Sequence, residues 1–155
     1  MMTQATESKI QSHKQLYQQD FYLWIQATTR LLQEAKFSQL DLENLIEEMQ
    51  AMGRREKREL RSRLIILLMH LLKWQYQPQK RTDSWLNTIN EQRISLEELF
   101  EDSPSLKPLL PDIFAQCYQK ARLKAVTETG LEVTSFPDDS PWNASETLDF
   151  EYLPE

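Results

Sequence analysis

The chain has 155 residues, 40% of them hydrophobic and 27% charged, which suits one domain with a buried core and is ordinary for a soluble protein. Its 2 glycines leave little material for hairpins, phosphate loops or dinucleotide turns, and the single cysteine, Cys117, excludes an internal disulfide and a cysteine-based zinc site. The net charge of −6 argues against general nucleic-acid binding, but it is unevenly placed: nine of the 18 Lys and Arg fall between Arg54 and Arg81, whereas Ala125 to Glu155 has eight acids and no base.

Helical periodicity organises the chain in order. Tyr17, Phe21, Trp24, Leu31 and Ala35 recur at helical spacing, predicting a first helix from about Ser12 to Ala35. Asp41 suits the cap of a second, with Asn44 three residues on and an inward stripe of Leu42, Leu45, Ile46, Met49 and Met52. Gly53 allows two readings. It can end that helix in a left-handed turn. Alternatively the helical phase carries through it to Leu60, Leu64 and Leu67, making one long helix with a weak point. The next element runs to Gln77 and stops at Pro78. Asp83 or Ser84 caps a fourth helix through Trp85, Leu86, Ile89, Leu96, Leu99 and Phe100. After a short turn at Ser103 and Pro104, a fifth begins at Pro111 and closes at Gly130. Beyond it lie three prolines and the apolar anchors Phe136, Trp142, Leu148, Phe150, Tyr152 and Leu153, with one short helix starting at Ser145. A disordered tail would be short of aromatics.

The prediction is an all-α fold. A flexible N-terminus at 1–15 precedes a compact bundle of about five helices at 16–130. An irregular, acidic, aromatic-containing C-terminal extension at 131–155 packs back on it.

Residues that could carry chemistry are few. His70 lies at the edge of an apolar stretch, with Ile66 and Leu67 before it and Lys73 and Trp74 after, none of them a second metal ligand at helical spacing. A metal site would need His70 to meet Glu47 or Glu48 across a hairpin. The plainer reading is a neutral imidazole bonded to a carboxylate or carbonyl of another helix. Glu47 and Glu48 diverge by about 100° around their helix and make no acid/base pair. Glu47 reads as solvated and Glu48 as an ion-pair partner of an arginine. Cys117 sits on the apolar face of the fifth helix and reads as core. No catalytic residue, cofactor or metal is assigned. The basic block Arg54, Arg55, Lys57, Arg58, Arg61 and Arg63 could track a phosphate backbone, but Glu56 and Glu59 dilute it, and pairing with the acidic C-terminal segment and with Asp41 to Glu48 explains it better. Tyr22, Tyr76, Trp142 and Tyr152 lie off the apolar stripes and are candidates for a partner or dimer surface.

The stretch "YQQDFYLWIQATTRLLQEAKFSQLDLENLIEEMQAMGRREKRELRSRLIILLMHLLKWQYQPQKRTDSW", followed by "SPSLKPLL", "ETG" and "FPDDSPW", resembles the cyanobacteria-centred family called domain of unknown function 29. The likeness covers about Tyr17 to Leu153. It implies a small all-helical protein and supplies no activity, cofactor or catalytic residue.

Three functional expectations follow. The first is a non-enzymatic helical module acting through protein–protein contacts, regulatory or self-associating. The second is a nucleic-acid-associated regulator using the basic block. The third is a metal-dependent enzyme at His70 with Glu47 or Glu48. With no apolar leader in the N-terminal "MMTQATESKIQSHKQ" and no apolar run longer than Leu64 to Met69, the chain is expected in the cytoplasm, away from membranes.

Overall fold

The structure is a computed structural model that describes residues 2–155. It is all-α, with no strand among the described residues. The described residues form six helices: α1 (Gln4–Gln19), α2 (Phe21–Gln33), α3 (Leu42–Tyr76), α4 (Asp83–Asp102), α5 (Leu110–Thr129) and α6 (Ala144–Leu148). Short 3-10 segments lie between helices at Phe37–Gln39, Pro78–Lys80, Pro104–Leu109 and Val133–Ser135. The chain divides into two compact units, the first ending at Arg55 and the second spanning Glu56–Glu155.

The first expected helix is two. Helix begins at Gln4, inside the stretch expected to be flexible, where the Thr3 side chain accepts from the Thr6 amide. The break falls at Asp20, whose amide bonds the Leu16 carbonyl while its carboxylate accepts from Leu23 N at 3.0 Å. One residue thus ends α1 and starts α2. The α2 terminus closes in a Schellman arrangement: Lys36 N bonds Leu31 O and Ala35 N bonds Leu32 O, with Ala35 at φ 55°.

Gly53 does not break α3, which runs 35 residues, about 52 Å at the helical rise. The phase reading therefore holds and the hairpin reading does not. Pro78 ends α3, Thr82 rather than Asp83 or Ser84 caps α4, and Gly130, at φ 70°, closes α5.

The second unit holds the main core. Leu60, Leu64, Leu67, Leu68, Leu71 and Leu72 of α3 meet Ile89, Leu96 and Leu99 of α4 and Ile113, Cys117, Tyr118, Ala121 and Ala125 of α5. Phe136 and Trp142 from the C-terminal segment belong to the same cluster, so that segment packs back as expected. It is held by polar clasps as well. Tyr118 Oη donates to the Pro137 carbonyl at 2.6 Å, and the Arg122 guanidinium bonds the Val133 and Phe136 carbonyls and the Asp138 carboxylate. The short α6 starts at a capping box between Asn143 and Glu146.

In the first unit the core is small. Trp24 is buried among Tyr17 and Phe21, with ring centroids 5.0 and 5.6 Å away, and its indole N–H donates to the buried Asp41 carboxylate at 3.3 Å. Leu31 and Leu40 complete it.

Candidate functional site

The metal constellation does not form. His70 lies 22 positions beyond Glu48 on the same uninterrupted helix, so no hairpin brings them together. The His70 Nδ1–H donates to the Ile66 carbonyl at 2.9 Å, one turn back on its own helix rather than on another. Burial lowers its pKa from the ordinary histidine value, the Ile66 bond opposes this, and the nearby Lys73 charge adds to the lowering. Lys73 is itself buried, bonded to Glu128 at 2.7 Å with its ammonium 4.6 Å from the Trp85 ring. No cluster of three or more His, Cys, Asp or Glu side chains occurs among the described residues. Glu48 accepts from Tyr17 Oη at 2.7 Å instead of from an arginine. Glu47, exposed, takes Arg54 at 2.8 Å.

The basic block is solvent-facing but not a stripe. Arg54, Arg55, Lys57, Arg58 and Arg61 are exposed and Arg63 is half-buried. At 100° per residue they spread around most of the helix. Its ion pairs, Arg54–Glu47 and Arg63–Glu59, run along α3 and not to the acidic C-terminal segment, whose Asp138 is held by Arg122 of α5.

The four candidate aromatics separate. Tyr22 is exposed at 69%. Trp142 is core, at 4%, because the segment carrying it is pinned to α5. Tyr76 and Tyr152 are half-buried against the same core, with the Tyr76 ring edge-on to Phe136 at 5.8 Å. Of the four, only Tyr22 is exposed, its hydroxyl accepting from Gln26 Nε2 at 3.2 Å.

Two features were missed. The first is Arg93, which follows Ile89 by four and precedes Leu96 by three, placing it on the apolar stripe of α4. It is 1% exposed and its Nε–H donates to the Thr147 carbonyl at 2.9 Å. Nη1 and Nη2 have no hydrogen-bond partner among the described residues. A groove of about 490 Å³ borders it, walled by Phe100, Leu148 and Phe150 and by the charged Glu97, Lys107 and Asp149.

The second is larger. Of the stripe expected to face inward on the first half of α3, Leu45 is half-buried, but Leu42, Ile46, Met49 and Met52 each leave 54 to 61% of their surface in solvent. On α2, Phe21, Ile25 and Leu32 form a second exposed stripe at helical spacing, and Phe37 beyond it is also exposed. Periodicity placed these residues on one face of α3, but the expectation that this face points inward is wrong, because spacing carries no information about what covers a face.

These features define an all-α protein with an apolar-faced N-terminal helical unit. The chain belongs to the family Domain of unknown function DUF29, whose model matches residues 16–153. No curated protein and no solved structure matches it. No helix among the described residues is long and apolar enough to cross a membrane.

Proposed function

We propose that the protein is a non-enzymatic helical module that acts through protein–protein contacts, with its first unit as the contacting surface. One observation carries this reading: ten apolar side chains of that unit, from Phe21 to Met52, are more than 40% exposed, and seven of them lie on two helical stripes. Single exposed leucines need no explanation, but apolar rows at i, i+4 and i+7 on adjoining turns are the pattern that partner helices bury. Tyr22 at the α2 N-terminus adds an aromatic of the kind that dominates contact energies. The first unit meanwhile spends its few buried polar groups, Asp41 and Thr28, inside a small aromatic core. A cytoplasmic setting fits the lone buried thiol of Cys117, which burial keeps protonated by raising its pKa.

The test compares affinity purifications of the full chain with those of Ile46→Lys/Met49→Lys. Both side chains are solvent-facing, so the variant should keep its helicity and melting temperature. Proteins recovered with the wild type are expected to fall at least about tenfold with the variant, equivalent to about 1.4 kcal/mol of lost contact. Equal recovery by both chains counts against the reading.

A further inference from the structure

Leu42, Ile46, Met49 and Gly53 follow one another at steps of four, three and four, a narrow seam along α3. Further along the helix the same seam carries Leu60, Leu64, Leu67 and Leu71, all buried. From Leu42 to Gly53 it is uncovered; the next seam position, Glu56, is half-buried and accepts from Ser103 Oγ at 3.5 Å.

Gly53 sits in this bare stretch without a reason inside its own chain. It is helical, has no positive φ, and a methyl group built on it would meet nothing within 4 Å. A glycine inside a helix destabilises it relative to alanine. A glycine on an open helix face leaves room for the close approach of another helix.

We propose that a second copy of the chain covers this seam, with α3 of one copy running antiparallel to α3 of the other about the level of Ala51. This rests on the protein-contact reading above and names its partner. Charge sets the direction. The start of α3 is acidic, with Asp41, Glu43, Glu47 and Glu48, and the stretch after Gly53 is basic. A parallel pair puts like charges side by side, whereas an antiparallel pair opposes them.

The register follows from the seam. Centred on Ala51, Met49 of each copy lies opposite the Gly53 notch of the other, and Ile46 lies opposite the half-buried Glu56 at the edge of the bare stretch. On one flank Glu43 faces Lys57 of the second copy, twice by symmetry; on the other, the two Met52 side chains face each other. Glu43 and Lys57 are both exposed, and Glu43 makes only a surface ion pair with Lys14. The bare stretch offers fewer than the roughly 20–30 residues a side of a standard interface, so the dimer is a weak one, with Kd on the order of micromolar.

Sedimentation equilibrium of the full chain from about 1 to 500 µM, at low and high salt, tests it. A reversible monomer–dimer equilibrium, weakened by salt, is expected. Met49→Glu and Gly53→Leu should each raise Kd at least about tenfold without loss of helicity. Lys57→Glu should weaken the dimer, and Glu43→Lys/Lys57→Glu should restore it to within about threefold, which a merely structural role for these residues would not do. A monomer at every concentration, or a dimer indifferent to Met49→Glu, overturns the proposal. If the chain is monomeric while Ile46→Lys/Met49→Lys still loses partners in the affinity comparison, the second copy is wrong and the contact surface stands. If neither measurement responds to the stripe, both fall.

Discussion

Arg93 puts a charge in the interior, 1% exposed, with most of its hydrogen-bonding capacity unused. Its guanidinium is buried with one hydrogen bond, to Thr147, and two nitrogens unpartnered. Burial pulls its pKa down from the ordinary arginine value, and the Asp149 charge opposes that. A buried charge with incomplete hydrogen bonding is often replaceable by an apolar group of similar length. Arg93→Met, which keeps the stem in the core, is therefore expected to change stability by less than about 1 kcal/mol in urea denaturation. Arg93→Ala leaves a cavity and an orphaned carbonyl and should cost about 2–4 kcal/mol. Equal large losses in both variants would show that the guanidinium is bonded to something it does not meet in the free chain. His70 gives a second test. Its pKa is lower folded than unfolded, so near pH 6.5 the unfolded chain binds more protons, and stability rises with pH through that window. Lowering the pH from about 7.5 to 5.5 should depress the melting temperature of the wild type more than that of His70→Gln. Identical pH responses would mean the imidazole is not desolvated. The sequence located His70 at the edge of the apolar stretch but not its hydrogen-bond partner, because a carbonyl four residues back is available to any helical side chain and leaves no pattern.

Helix ends and helix faces were legible to different degrees. Pro78 and Gly130 mark their boundaries in the sequence because one lacks an amide hydrogen and the other adopts positive φ freely. The break at Asp20 was hidden. The phase from Tyr17 to Trp24 continues across it, and Asp is acceptable inside a helix until its carboxylate is seen capping Leu23. Gly53 was ambiguous for the opposite reason: glycine is compatible with both a stop and a weak helix interior, and α3 continues through it. Ala35 is the costly terminus. It occupies the left-handed position of a Schellman close, where a Cβ is strained and glycine is usual. Ala35→Gly should stabilise the chain by about 0.5–1 kcal/mol, read as a higher denaturation midpoint with an unchanged slope. A loss of stability there would mean the added freedom of the unfolded chain outweighs the relieved strain.

At the scale of the molecule, the two units are unequally built. The unit ending at Arg55 buries Trp24, Thr28, Leu31, Leu40 and Asp41, and α1 buries no side chain fully. The second unit has a cluster of twenty buried residues. The sequence could not reveal this imbalance, since Leu42, Ile46, Met49 and Met52 have the same spacing and character as the buried leucines downstream. Opening free energy follows buried apolar contact, so local unfolding should begin in α1 and α2 and stop where the seam of α3 becomes covered at Leu60. Hydrogen exchange followed by mass spectrometry reads this directly. Amides of α1 and α2 are expected to exchange at least about 100-fold faster than those of α4, α5 and α3 beyond Leu60, a difference of about 2.7 kcal/mol in opening. Raising the protein concentration across the dimerisation range should slow exchange between Leu42 and Arg55 while leaving α4 and α5 unchanged, because only molecules paired along the bare seam gain protection there. Uniform exchange along the whole chain would mean that the first unit draws its stability from the second, and the apolar rows on α2 and α3 would then have to be explained as the cost of that dependence rather than as a surface for another chain.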